Sequence, residues 1–268
     1  VTAAPWSPSA WRSAAAAALG SLDARALDHA LSIAGTNGTS RLTPFLRRLS
    51  NETDCCVHVI VIGGSIACGH GYPGNMGSPK AGNVKAAGGV SGAYAAHLHG
   101  LLNTARGACC AATHRVTNLC EGGKGTDYFL SSLSTRLVPV HREHPAHLVL
   151  VDTAPNDLNA FWIQRFGTRD RSTWLPRLHA VNALTTEALV RRLLLLRPRV
   201  AVAYVETAWY EAGPFHTRYG AWEDQQPVLR FYQVPTVHLG LVARAAGSAA
   251  TGTRESDSNT TTTSELHA

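Results

Sequence analysis

Residues 57–65 read Val57-His58-Val59-Ile60-Val61-Ile62-Gly63-Gly64-Ser65: a short, largely β-branched apolar run closed by two glycines and a serine. β-Branched side chains suit a pleated surface, and six residues are too few for a stable helix, so the run is expected to be a strand buried on both faces. Four more segments share this character: Arg115–Cys120, His147–Asp152, Val200–Glu206 and Val234–Leu239, each bounded by turn-forming residues. Longer amphipathic stretches alternate with them, giving expected helices at Ser91–Arg106, Asp127–Arg136 and Thr173–Arg197. In the last of these, Leu178, Val181, Leu184, Thr185, Ala188, Leu189 and Leu196 share one face by three- and four-residue spacing, and Pro198 ends it.

Strands alternating with helices imply parallel pairing, because parallel neighbours are joined by crossovers that carry a helix back across the sheet. The expected fold is α/β: a three-layer α/β/α sandwich around a parallel, flavodoxin-like sheet of about five strands. Function in such a sheet gathers at the carboxyl ends of the strands.

Working outward, residues 1–50 form an expected helical extension, with a helix from Ala10 to about Ile33 and a polar break at Gly35-Thr36-Asn37-Gly38. The main domain covers 51–242. Residues 243–268 hold Leu266 as their only large apolar residue beyond Val242 and are rich in Ala, Gly, Ser and Thr, so they bury too little surface to offset ordering entropy and are expected to be disordered.

The whole chain has 268 residues, with 24 Lys+Arg, 18 Asp+Glu and 45% hydrophobic residues. That composition supports one large domain and excludes wholesale disorder. The formal charge is +6, but all but three of the cations are Arg, scattered rather than gathered into a stripe, which argues against nucleic-acid binding. No stretch approaches the ~18 apolar residues of a membrane span. Val1 at the start and Met76 as the only Met suggest a processed or incomplete product. Sequons at Asn37, Asn51 and Asn259 and six Cys, including Cys55-Cys56 and Cys109-Cys110, lean towards a secretory route.

Three strand ends carry chemistry. After the first comes Gly63-Gly64-Ser65-Ile66, where two glycines permit a tight turn that exposes a hydroxyl at the rim. After the second comes Asn118-Leu119-Cys120-Glu121-Gly122-Gly123-Lys124-Gly125, a glycine-rich turn opening a helix, whose backbone N–H groups suit an anion. After the third comes Asp152-Thr153-Ala154-Pro155-Asn156-Asp157, where Asn156 offers a side-chain N–H or, with Asp157, a helix cap.

Ser, Gly and Asn at successive strand ends, in this chain order, resemble the SGNH (GDSL-like) hydrolase superfamily over about residues 55–240. The resemblance implies that Ser65 is the nucleophile, with Gly64 standing where Asp is common. Gly123, in preference to Gly122, and Asn156 would then be oxyanion donors, Ala154 replacing the usual Gly of the third block. It further implies hydrolysis of a small ester or glycan ester, with no cofactor and no metal. The family's fourth block, Asp-x-x-His, occurs nowhere in this chain. After Val234–Leu239 the sequence turns instead into the low-complexity tail, so either the gene model is wrong or truncated there or the protein has lost its base. His70, His216, His238 and His267 are the candidate substitutes, and none is assigned as catalytic. The alternative is a non-catalytic member of the fold that binds a carbohydrate or protein partner.

Other motifs carry less. Gly69-His70-Gly71-Tyr72-Pro73-Gly74 fits a dinucleotide pattern formally, but Pro73 prevents a helix from opening there. Cys55, Cys56, Cys68 and His70 lack the paired spacing of structural zinc.

Overall fold

The computed structural model of the chain describes residues 35–50, 56–69, 93–105, 113–157, 171–206 and 221–238. The expected helix over 10–33 and the tail over 243–268 lie outside the described residues. The elements in chain order are α1 (Gly35–Ser50), β1 (His58–Gly63), α2 (Tyr94–Ala105), β2 (Arg115–Asn118), α3 (Thr126–Glu143), β3 (Leu148–Asp152), α4 (Ala154–Asp157), α5 (Arg171–Leu194), β4 (Ala201–Glu206), α6 (Ala221–Phe231) and β5 (Thr236–His238).

The five strands form one sheet in the order β2-β1-β3-β4-β5, and every neighbouring pair is parallel. This is the doubly wound, flavodoxin-like order. β1 and β4 are buried along their whole length, whereas the edge strand β2 has an exposed first residue.

Alternation along β1 divides the core. Ile60 and Ile62 face one side with Val149, Val151, Val202 and Tyr204, beneath α3, α5 and α6. Val59 and Val61 face the other with Val116, Leu148 and Ala203, beneath α1 and α2. Helices on both faces make the three-layer sandwich, and each fully buried Ile or Leu contributes about 1.5–3 kcal/mol.

The helices differ in detail from the expected ones. α1 starts at Gly35, where a polar break was expected, and seats Phe45 and Leu49 in the core. α3 runs past Arg136 and through Pro139, because Phe129, Leu133, Leu137 and His141 continue one buried stripe at four-residue spacing. In α5 the expected apolar face is rotated: Val181 and Leu184 are 45% and 65% exposed, while Asn182 and Thr186 are buried. The Asn182 amide donates to Asp224 Oδ2 at 3.0 Å, so a polar side chain with a partner takes the inward position. α6 was not expected at all, since Pro227 interrupts its pattern. No described helix is long and apolar enough to cross a membrane.

Candidate active site

The strand order reverses between β1 and β3, and the crevice above their carboxyl ends is where parallel sheets of this kind bind ligands. Ser65 stands there, one residue beyond Gly64, which extends the β1–β3 ladder by donating to the Asp152 carbonyl at 3.0 Å. Gly63 is required by close approach, because a Cβ would lie 2.6 Å from that same carbonyl oxygen. Beyond Ser65 the chain turns at once, with Cys68 N–H donating to the Gly64 carbonyl at 3.2 Å and Gly69 N–H to the Ile66 carbonyl at 2.8 Å. Ser65 is half-buried, and its hydroxyl and N–H have no partner among the described residues. Gln233 is the one described non-glycine residue with positive φ, so Ser65 sits on an unstrained turn, unlike the strained nucleophile elbow of α/β-hydrolases.

Asn156 comes from the other side of the crevice, on the single turn α4. A Cβ at Gly64 would coincide with the Asn156 side-chain amide nitrogen. That nitrogen is buried and has no hydrogen-bond partner among the described residues. Ser65 and Asn156 are thus brought together through Gly64.

The β2 end is bound to the same turn. The Asn118 amide donates to the Ala67 carbonyl at 2.8 Å, and a disulfide joins Cys68 to Cys120. Its formation also takes Cys68 out of any metal-ligand set. Beyond Cys120, Gly122 and Gly123 are exposed, and a Cβ at either would meet nothing within 4 Å. Gly123 is needed for its φ of +71°, not for room. The segment comes closest to Gly64 at the Lys124 carbonyl, 3.2 Å from the Cβ position.

Asp157 underpins this arrangement. Its carboxylate accepts the Thr126 N–H at 2.5 Å, the Thr126 hydroxyl at 2.6 Å and the Gln225 amide at 2.8 Å. It therefore caps α3, whose N-cap residue Gly125 has no side chain, and ties α4 to α6. Burial raises its pKa to about 6, against the lowering effect of the Thr126 and Thr153 hydrogen bonds. Nearby, Tyr94 has its phenol pushed well above the ordinary range by burial and by the charge of Asp152.

No imidazole pairs with Ser65 among the described residues. His70, His216 and His267 lie outside them, and His238 sits on β5 in register with Glu206. Among the described residues the imidazole–carboxylate contacts are His179 Nδ1 with Asp224 Oδ1 at 2.5 Å, which joins α5 to α6, and His144 Nε2 with the neighbouring Glu143 at 3.3 Å. At the opposite, amino-terminal end of the strands, Nδ1 of His114 accepts the Val57 N–H and Nδ1 of His147 accepts the His58 N–H.

No family model matches the chain, and no curated protein does. Similar solved structures include a two-domain esterase active on acetylated mannans, with 17% identity and a TM-score of 0.48 over 80% of this chain and 44% of that one. An acetylxylan esterase from Geobacillus stearothermophilus has 18% identity and a TM-score of 0.35, over 72% of this chain and 73% of its own. An alpha/beta hydrolase enzyme from the metagenome of Lake Arreo, Spain, has 17% identity and a TM-score of 0.39, over 73% and 95%. The chain spans less than half the length of the two-domain esterase. Likenesses at these values assign neither family nor activity.

Proposed function

We propose that the chain is an SGNH-type serine hydrolase acting on ester bonds, with Ser65 as nucleophile. The observation that carries this reading is the Asn156 side-chain nitrogen, buried without an acceptor among the described residues and fitted against Gly64 at the sheet's switch point. A buried donor without a partner costs about 1–3 kcal/mol, a cost that a developing oxyanion on a bound substrate removes.

Ser65 Oγ attacks the carbonyl carbon of a small ester or glycan ester. The oxyanion accepts hydrogen bonds from the Asn156 amide, the Ser65 N–H and the Gly123 N–H. The alcohol leaves, and water hydrolyses the acyl-serine. The Ser65 proton needs an acceptor, and the described residues supply none. A secretory route agrees with the Cys68–Cys120 disulfide and the sequons.

The missing Asp-x-x-His favours a second reading, a non-catalytic protein that binds a carbohydrate or protein partner with the same crevice. Hydrolysis of 4-nitrophenyl acetate separates the two. A hydrolase turns it over, loses that activity in Ser65→Ala and is labelled at Ser65 by a fluorophosphonate. Absence of both turnover and labelling from pH 5 to 9 leaves the binding reading.

A further inference from the structure

Two arms flank Ser65, the turn 122–125 after β2 and the single turn α4 after β3, and the Asp157 side chain joins them. From α4 its carboxylate accepts the Thr126 N–H and hydroxyl at the first residue of α3, and the Thr126 hydroxyl lies 2.7 Å from that of Thr153, just before α4. Gly125 sits against the joint: a Cβ there would run into Asp157 Oδ1 and meet the Asn156 carbonyl group at 3.4 Å. The backbone carrying Asn156 therefore abuts the backbone that leads from Gly123 into α3. Asp157, Thr126 and Thr153 are all buried, so bulk solvent does not compete for these bonds. The third donor, Gln225 Nε2 of α6, reaches Asp157 Oδ2 at 2.8 Å, while Gln225 Oε1 is buried without a partner among the described residues.

The geometry points to Asp157 as a positioning residue whose ionisation switches the crevice: ionised, it clamps the Gly123 turn to α4 and holds the Asn156 amide beside Ser65; protonated, it releases both. All three bonds suit the ionised carboxylate, which only accepts. Hydrogen bonds to a charged acceptor are roughly twice as strong as neutral ones, and a negative charge at the first turn of α3 complements the helix dipole. A proton on Oδ2 removes both effects and stands against the Thr126 hydroxyl and the Gln225 amide, which donate to that oxygen. Gln225 relieves the conflict by turning its amide half round and accepting through Oε1, so the joint has two discrete arrangements. Burial brings the switching range to a pKa of about 6, against the Thr126 and Thr153 hydrogen bonds that favour the charge. Asp127 of α3 also disfavours ionisation, and Tyr204 of β4 stays a neutral phenol, through burial and the charge of Asp157 itself. On α6, Gln225 is neutral and Asp224 is engaged by His179 and Asn182. The effect on an oxyanion rests on the hydrolase reading; the coupling of Asn156 to Asp157 does not.

The test is a proton–nitrogen NMR titration of the full chain from pH 4.5 to 8, with Asn156→Ala identifying the Asn156 side-chain signals. The Thr126 amide proton, which bonds the carboxylate, is expected to move upfield as pH falls, with a midpoint near 6, and the Asn156 side-chain signals are expected to move with the same midpoint. Thr126→Val takes away a donor that favours the charged form and is expected to raise the midpoint by about half a unit or more. Neither signal is expected to titrate in Asp157→Asn; should that variant fail to fold, the wild-type and Thr126→Val curves decide. Asn156 signals that stay fixed while the Thr126 amide titrates overturn the inference, as does a Thr126 amide without a titration in this range or an unmoved midpoint in Thr126→Val. Turnover of 4-nitrophenyl acetate is read separately. Where it is present, kcat is expected to fall about tenfold per pH unit below 6, and a level kcat from pH 7 to 5 overturns the inference. Absence of turnover removes the hydrolase reading and leaves the NMR titration to decide whether Asp157 governs Asn156.

Discussion

The side-chain amide nitrogen of Asn156 occupies the space in which a side chain at Gly64 would begin. One residue's lack of a Cβ thereby decides where another residue's donor points. Any side chain at position 64, an Asp included, requires Asn156 to swing away. Ser65 and Asn156 approach each other across β1 and β3 because Gly63 and Asp152 are register partners at the ends of those strands.

Gly64→Ala tests this relationship with one added methyl group. The Cβ displaces the Asn156 amide while leaving Ser65 and the Gly63 contact in place. Loss of a single oxyanion donor costs about 10²–10³ in turnover, so kcat for 4-nitrophenyl acetate is expected to fall about a hundredfold with KM nearly unchanged. An unaltered kcat would show that Asn156 does not act from this position.

Asn156→Ala separates function from stability. Ordinarily a truncation in a buried turn weakens the fold, yet here it removes a donor that has no acceptor among the described residues. The unfolding free energy from urea titration is expected to stay level or rise by up to about 1 kcal/mol, while kcat drops by a factor of about 10²–10³. A clear loss of stability with activity retained would mean that Asn156 serves the fold and not the reaction.

The strands and their termini were legible because each central strand is apolar on both faces, and each ends in residues that do not continue it, such as Gly63-Gly64 and Thr153. Parallel pairing then brings Ser65 and Asn156 to one rim without further information. What stayed illegible depends on partners distant in the chain. Asp157 bonds Thr126 and Gln225, 31 and 68 residues away, and nothing local marks that carboxylate as a cap for another helix. Asn182 turned inward for the sake of Asp224, which moved the buried face of α5 away from Val181 and Leu184. The pairing of Cys68 with Cys120 likewise needed both loops in position.

That disulfide spans 52 residues and joins the turn after Ser65 to the segment carrying Gly123. In the chain-entropy account a loop of this length restrains the unfolded state by about 4 kcal/mol. Cys68→Ser with Cys120→Ser is expected to lower stability by about 2–4 kcal/mol and, if the proposed site is the active one, to reduce kcat more than a generic surface pair would, since the turn after Ser65 and the segment carrying Gly123 lose their tie. Urea unfolding and ester kinetics on the double variant, against wild type treated with reductant, measure both effects. Matching stability in the reduced and oxidised proteins would remove this role.

Two buried groups make opposing contributions to stability against pH. His58 is held down to about 4, mainly by burial, from an ordinary 6.5. As pH falls below 6.5 the unfolded chain takes up a proton that the folded chain refuses. This contribution, about 3 kcal/mol, is therefore complete above pH 6.5 and lost on approach to pH 4. Asp157, raised by burial from 3.8 to about 6, behaves in the reverse sense: its contribution is complete below 3.8 and lost as pH rises through 6. Between pH 4 and 6 the two slopes offset each other. His58→Gln removes the rising slope, so its unfolding free energy is expected to decrease with pH relative to wild type across that interval. Asp157→Asn removes the falling slope, so stability relative to wild type should increase over the same interval. Urea midpoints at half-unit steps from pH 4 to 7 give both curves; parallel profiles for wild type and the two variants would show that neither group titrates between the folded and unfolded states as their burial requires.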